Sequence, residues 1–120
     1  MYNIAMMDND IYIKYGVSVY FNSKGITVMT ASNISELTVN LQNNKVDVVV
    51  MELFSSDDDV LDCIEFIRLF PQQWPATKLL VYTQIRNEEA IKLLIAVTGK
   101  KEIIYKTESM SHLASCVFSS

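Results

Sequence analysis

The sequence predicts an α/β domain, a parallel sheet with helices on both faces. Short apolar, β-branched runs alternate five times with segments of helical period, and repeated βα alternation is the signature of such a sheet. One run, Val48-Val49-Val50-Met51, is uninterrupted, as a strand buried on both faces requires. The chain has 120 residues, half of them apolar. That suits one domain, in which every element shares one core.

The elements follow in order. Tyr2 to Met7 reads as a strand. Asp8, Asn9 and Asp10 offer N-cap chemistry to a helix over Ile11 to Phe21, with Ile13, Val17, Tyr20 and Phe21 at helical spacing. Gly25 ends it, and Ile26 to Ala31 is a second strand. Asn33-Ile34-Ser35-Glu36 has the form of a capping box, ahead of a helix that buries Ile34, Leu37 and Leu41. Val46 to Leu53 is the third strand, followed by a polar loop, Ser55 to Asp59. A helix from Asp59 to Phe70 should bury Leu61, Ile64, Ile67 and Leu69 or Phe70, with Pro71 and Pro75 bracketing a loop behind it. Lys78 to Thr83 is the fourth strand. Asn87 caps a helix to Thr98, with Ile91, Leu94 and Ile95 inward and Gly99 as its C′ residue. Glu102 to Tyr105 is the fifth strand, and Ser109 caps a last helix carrying Leu113 and Val117. Right-handed crossovers are expected between the strands.

Composition narrows the function. The formal net charge is -4, so no basic nucleic-acid footprint is expected on this domain. Cys63 and Cys116 have neither CxxC nor metal-ligand spacing. They read as buried small hydrophobes in a reduced compartment. The N-terminus lacks a basic region followed by a long apolar one, and no apolar run is long enough to span a bilayer. A cytoplasmic location fits, with no membrane partner. His112 has no Ser or Cys arrangement around it that suggests a nucleophile, and Asp57-Asp58-Asp59 reads as a solvated acidic first turn rather than a cation site. Trp74, between two prolines, is either a partner anchor or a packing residue over the sheet edge.

Sites in open parallel sheets form beyond the carboxyl ends of the strands. Here those ends carry Asp8-Asn9-Asp10 after strand one, Glu52 after strand three, Thr83 after strand four and Lys106 after strand five. This ordered set resembles the receiver domain of two-component response regulators over the whole chain, 1–120. That family places an acidic pair, a phosphoacceptor aspartate, a Thr or Ser and a Lys at these strand ends. Asp8 and Asn9 fall at the pair, Glu52 at the phosphoacceptor, Thr83 at the hydroxyl and Lys106 at the lysine. Tyr15 and Gly16 in the first helix resemble receivers of the Rcs and NarL type. The resemblance implies a receiver or flavodoxin-like fold with strand order 2-1-3-4-5, and Lys106 near Glu52 and Asp8 at the carboxyl edge.

The departures from the family pattern are specific. Asn9 replaces a carboxylate, and Glu52 is one methylene longer than aspartate. Gln84 stands where the family favours a small residue, Ile103 where many receivers carry a switching aromatic, and Thr107 where a proline is usual. Asp8, Asn9, Glu52, Thr83 and Lys106 therefore read as a degenerate phosphoacceptor pocket with no catalytic residue, metal or cofactor. The chain resembles the N-terminal domain of Rcs-type regulators of the LuxR family, a pseudo-receiver that acts without a phosphate signal. That resemblance implies a C-terminal helix-turn-helix outside this chain, which would make the DNA contacts. The expected partners are a second copy or another regulator of the response-regulator type. The charged segment Asn87 to Lys101 is a candidate interface rim, as helices one and five are a candidate face. The rival readings are an active phosphoacceptor receiver, and a flavodoxin-like binder of a small molecule. Against the binder, Met7-Asp8-Asn9-Asp10 is acidic where a phosphate-binding loop would stand.

Overall fold

The computed structural model describes residues 2–100 and 103–119. Ten elements alternate: β1 (Asn3–Met7), α1 (Ile11–Asn22), β2 (Thr27–Ala31), α2 (Ile34–Asn43), β3 (Val48–Met51), α3 (Val60–Gln73), β4 (Lys78–Thr83), α4 (Glu88–Thr98), β5 (Ile103–Tyr105) and α5 (Met110–Phe118). All four strand pairings are parallel, in the order β2-β1-β3-β4-β5. This is the doubly wound arrangement expected from the sequence. Of the predicted fifth strand, Glu102 lies outside the described residues.

Alternation along the strands sorts side chains to two faces. Ala5, Met7, Val49, Met51, Leu79 and Val81 join one core cluster with Leu37, Leu41, Ile64, Ile67, Phe70 and Leu94. Ile4, Met6, Val48, Val50, Leu80 and Tyr82 join the other with Val17, Phe21, Leu113 and Val117. Helices α2, α3 and α4 thus cover one face, and α1 and α5 the other. Every residue of β3 is buried, as the uninterrupted apolar run requires.

Helix starts follow the cap chemistry. Asp10 accepts from the Tyr12 and Ile13 N–H groups at 2.8 and 3.3 Å, Asn87 from Ala90 at 3.0 Å and Ser109 from His112 at 3.1 Å. Asn33 accepts from the Glu36 N–H at 2.8 Å. The returning Glu36 carboxylate takes the N–H of Ser32 instead of Asn33, so the box closes one residue early. Asp59 and Asp62 form a full capping box on α3. Gly99 closes α4 at φ 73°, a left-handed conformation that a side chain would strain.

Several expectations are corrected. Pro71 does not open a loop: α3 runs through it to Gln73. A proline near a helix end forfeits one bond, and the Trp74 N–H holds the last turn by donating to the Phe70 carbonyl at 2.9 Å. Trp74 packs against Phe66 and Phe70, with ring centroids 6.1 and 5.3 Å away. Leu61 is exposed, and of the alternatives Leu69 and Phe70 it is Phe70 that is buried, because the stripe that meets the sheet is Cys63, Ile64, Ile67 and Phe70. Ile95 is likewise exposed, and only Leu94 of α4 is fully buried. Val46 and Leu53 are buried but flank β3 rather than belonging to it.

Helix α1 is unusual. Its inner face, Val17 and Phe21, is buried, yet Ile11, Tyr12, Tyr15 and Val19 are exposed. It is apolar nearly all round, a pattern that ordinarily belongs to a helix covered on both sides.

Candidate functional site

The parallel sheet delivers the ends of β1, β3, β4 and β5 to one rim, and each contributes a side chain. Asp8 follows β1 and is 2% exposed, Glu52 follows β3 and is 1% exposed, and Thr83 ends β4 with no exposure. Lys106 follows β5. Its Nζ lies 2.5 Å from Asp8 Oδ2 and 2.7 Å from Glu52 Oε1. The ends of β1 and β3 are neighbours, but β4 separates β3 from β5. The lysine therefore reaches across the end of β4, its ammonium 5.9 Å from the Tyr82 ring centroid, within cation–π range.

Both carboxylate oxygens of Glu52 are engaged. Oε2 accepts the N–H of Leu53 at 2.6 Å, while Oε1 accepts the Gln84 N–H at 3.0 Å and the Lys106 ammonium. Asp8 Oδ1 accepts the Asp10 N–H at 2.8 Å. Apart from Lys106, no donor among the described residues reaches Asp8 Oδ2. Burial pulls the Lys106 pKa down, but the hydrogen bonds and charges of Asp8 and Glu52 outweigh it and hold the lysine above its ordinary range. Tyr82 is also raised, first by burial, with Lys106 opposing.

Thr83 and Asn9 belong to the rim but not to this ion triad. The Thr83 hydroxyl oxygen accepts the Ile85 N–H at 2.9 Å, capping its own loop. Asn9 is exposed, and its amide oxygen accepts the Ser56 hydroxyl at 3.2 Å. Above the triad a cleft of about 230 Å³ is lined by Asp8, Asn9, Asp10, Phe54, Gln84 and Lys106. Glu52 lies beneath it, sealed from solvent.

A hard divalent cation such as Mg²⁺ takes oxygen ligands in strict octahedral geometry, usually including one or two free carboxylates. The donor set does not fit it. Asp8 is engaged by Lys106 and by the Asp10 N–H, Glu52 is buried with three of its roughly four lone-pair directions used by donors, and Asn9 brings a neutral amide. The rim is built as a buried ion triad of two carboxylates and one ammonium.

Some contacts have no signal in the sequence. Arg86 stacks over the Tyr105 ring at 4.6 Å and donates to the Thr107 hydroxyl, joining the loop after β4 to the loop after β5. The three acids after β3 divide their work. Asp57 accepts from Asn33 Nδ2 at 2.7 Å, Asp58 from the Ile34 N–H at 2.9 Å and Ser55 Oγ at 2.7 Å, and Asp59 caps α3. They pin the loop to the start of α2 rather than forming a free acidic turn. Cys63 and Cys116 are both buried. Burial, then the charges of Asp58, Asp62, Glu52 and Asp59, push the Cys63 thiol up to about 12. His112 is exposed, 3.4 Å from Glu108.

No family profile and no curated protein matches the chain. Solved structures do. The beryllofluoride-activated NtrC4 receiver domain dimer superposes with a TM-score of 0.81 at 19% identity, covering 98% of this chain and 93% of that one. A CheY-like response regulator receiver domain protein from Methanospirillum hungatei gives 0.83 at 16% identity, with 98% and 90% covered. A response regulator from Thermotoga maritima gives 0.80 at 20% identity, with 100% and 99% covered. The chain has the fold of response-regulator receiver domains. Among the described residues no helix is long and apolar enough to cross a membrane.

Proposed function

We propose that the chain is a regulatory receiver domain that works without phosphorylation, as part of a transcriptional regulator of the Rcs-type LuxR family. It is not an enzyme in this reading. It associates with itself or with another response-regulator-type protein, and any DNA contact belongs to a separate domain. The observation that carries the reading is the position of Glu52. A carboxylate one methylene longer than aspartate fills the acceptor position at the end of β3 and holds the Lys106 ammonium and the Gln84 N–H at 2.7 and 3.0 Å. Charge-assisted bonds of this kind are strong, and they are the bonds an incoming phosphoryl group would need. Asn9 and Gln84 weaken the active-receiver alternative further, the first by removing a cation ligand and the second by crowding the cleft.

The test is incubation with Mg²⁺ and acetyl phosphate or beryllofluoride, followed by intact mass and amide NMR spectra. The expected result is no mass gain and no shift of the Gln84 or Thr107 amides. A Mg²⁺-dependent gain of one phosphate that disappears in Glu52→Gln would establish the active receiver instead.

A further inference from the structure

We infer that the outward face of α1 is a self-association surface, on which a second copy of the chain packs its own α1 antiparallel across a twofold axis. The inference rests on the association role proposed above and names its surface; it does not depend on the state of Glu52.

The first observation is the stripe itself. Ile11, Tyr12, Tyr15 and Val19 are 69%, 83%, 71% and 50% exposed, and they lie opposite the core-facing Val17 and Phe21. A full aromatic side chain offers about 150–250 Å² and Ile and Val offer less, so these four expose roughly 500 Å² per copy. Two copies would bury about 1,000 Å², the area that a biological interface should clear. The second observation is Gly16, in the middle of the same helix. A Cβ there would meet nothing within 4 Å, so no contact within the chain requires glycine, although glycine destabilises a helix interior relative to alanine. Its missing side chain leaves a notch one turn below Tyr12. A neighbouring helix that approaches closely gives that notch a reason.

The occupant follows from charge. The only ionised side chain within α1 is Lys14, and it turns aside to donate to Ser32 Oγ at 2.8 Å. An uncharged surface is complementary to itself, as a twofold contact requires. With the axis between Tyr15 and Gly16, Tyr12 of each copy meets Val19 of the other. Asp10, at the start of each helix, then comes within about a turn of Lys24 just beyond the end of the other, and the two helix dipoles run antiparallel.

The test is sedimentation velocity over a concentration series, with thermal melts, on the parent chain and three variants. The parent is expected to be a dimer at high concentration. Tyr15→Glu should weaken dimerisation roughly tenfold or more, since a charge is buried at the centre of the contact, while the melt of the dilute monomer stays unchanged. Gly16→Ala should separate the two quantities, raising the monomer's melting temperature while weakening the dimer. Val39→Glu, on the exposed side of α2, should alter neither. A parent that stays monomeric at about 1 mM, far above the Kd of any functional homodimer, overturns the inference. So does a dimer that survives Tyr15→Glu and Gly16→Ala. Neither result bears on the phosphodonor test, which judges the pseudo-receiver reading alone.

Discussion

Removing the lysine from the triad isolates the energetics of the site. Lys106 has 8% of its side chain exposed, Asp8 2% and Glu52 none, so Lys106→Ala leaves two buried carboxylates facing each other without a cation. Deleting one partner of a buried ion pair costs about 3–5 kcal/mol, because the remaining charge is desolvated and uncompensated. On a domain of this length that corresponds to a melting temperature lower by roughly 10–20 °C. Asp8→Asn should cost clearly less, since one carboxylate and one ammonium remain paired at 2.7 Å. The pH dependence carries its own sign. The folded-state pKa of Lys106 is raised, so its contribution is complete below the ordinary lysine value of about 10.4 and is lost as pH rises through the folded value. The parent should therefore lose stability above about pH 10 by a component that Lys106→Ala lacks. The assay is thermal denaturation by circular dichroism from acid to alkaline pH. If Lys106→Ala melts within 2 °C or so of the parent, well inside the shift expected for a buried pair, the triad contributes nothing and the site is vestigial.

The remaining predictions follow from other contacts. The double variant Asn9→Asp/Glu52→Asp restores the acidic pair and shortens the acceptor, and should gain a Mg²⁺-dependent response to beryllofluoride, read by amide shifts around Gln84; no gain would mean that Gln84 or the Arg86–Thr107 contact also blocks the site. Trp74→Ala removes a half-buried ring from Phe66 and Phe70 and should cost about 2 kcal/mol, measured by urea denaturation. The folded chain should react slowly with a disulfide reagent near pH 8, since the Cys63 thiol is buried and pushed up to about 12, and both cysteines should titrate at once in denaturant. Rapid reaction of either thiol in the folded state would contradict the burial.

Much of this architecture was legible because its signals are local. The Val48 to Met51 run marks a strand with two covered faces, and Asp10, Asn33, Asp59, Asn87 and Ser109 each start the helix they precede. The site residues were legible as strand-end positions, since a parallel sheet brings all its carboxyl ends to one rim. What sequence could not reveal depends on direction and distance. Leu61 and Leu69 fit an apolar count but fall off the buried stripe by a fraction of a turn. Pro71 reads as a helix stop, yet the ring packing of Trp74 on Phe66 and Phe70 carries the chain one turn further. Thr83 stands at the expected position, but its hydroxyl serves the Ile85 N–H. Arg86 and Tyr105 lie 19 residues apart and have no shared pattern to announce their stacking.

The hydrogen bonds of Glu52 argue against a domain with two rim conformations. A switch needs an element with two arrangements of similar free energy, each satisfied by different contacts. Here one carboxylate just after β3 binds its own following backbone, the first N–H after β4 and the ammonium after β5, and that ammonium also binds the acid after β1. Four strand ends are thereby fastened to one another, with both oxygens of Glu52 engaged. Breaking any one of these contacts leaves a buried charge without its partner, which is costly even when the pair adds little net stability. A buried triad of this kind fixes one geometry more than it strengthens the fold. The loops it fixes, those after β4 and β5, are joined again by Arg86 through Tyr105 and Thr107. A rim held in that way presents one surface continuously, which suits the proposed role of a domain recognised by a partner without phosphorylation.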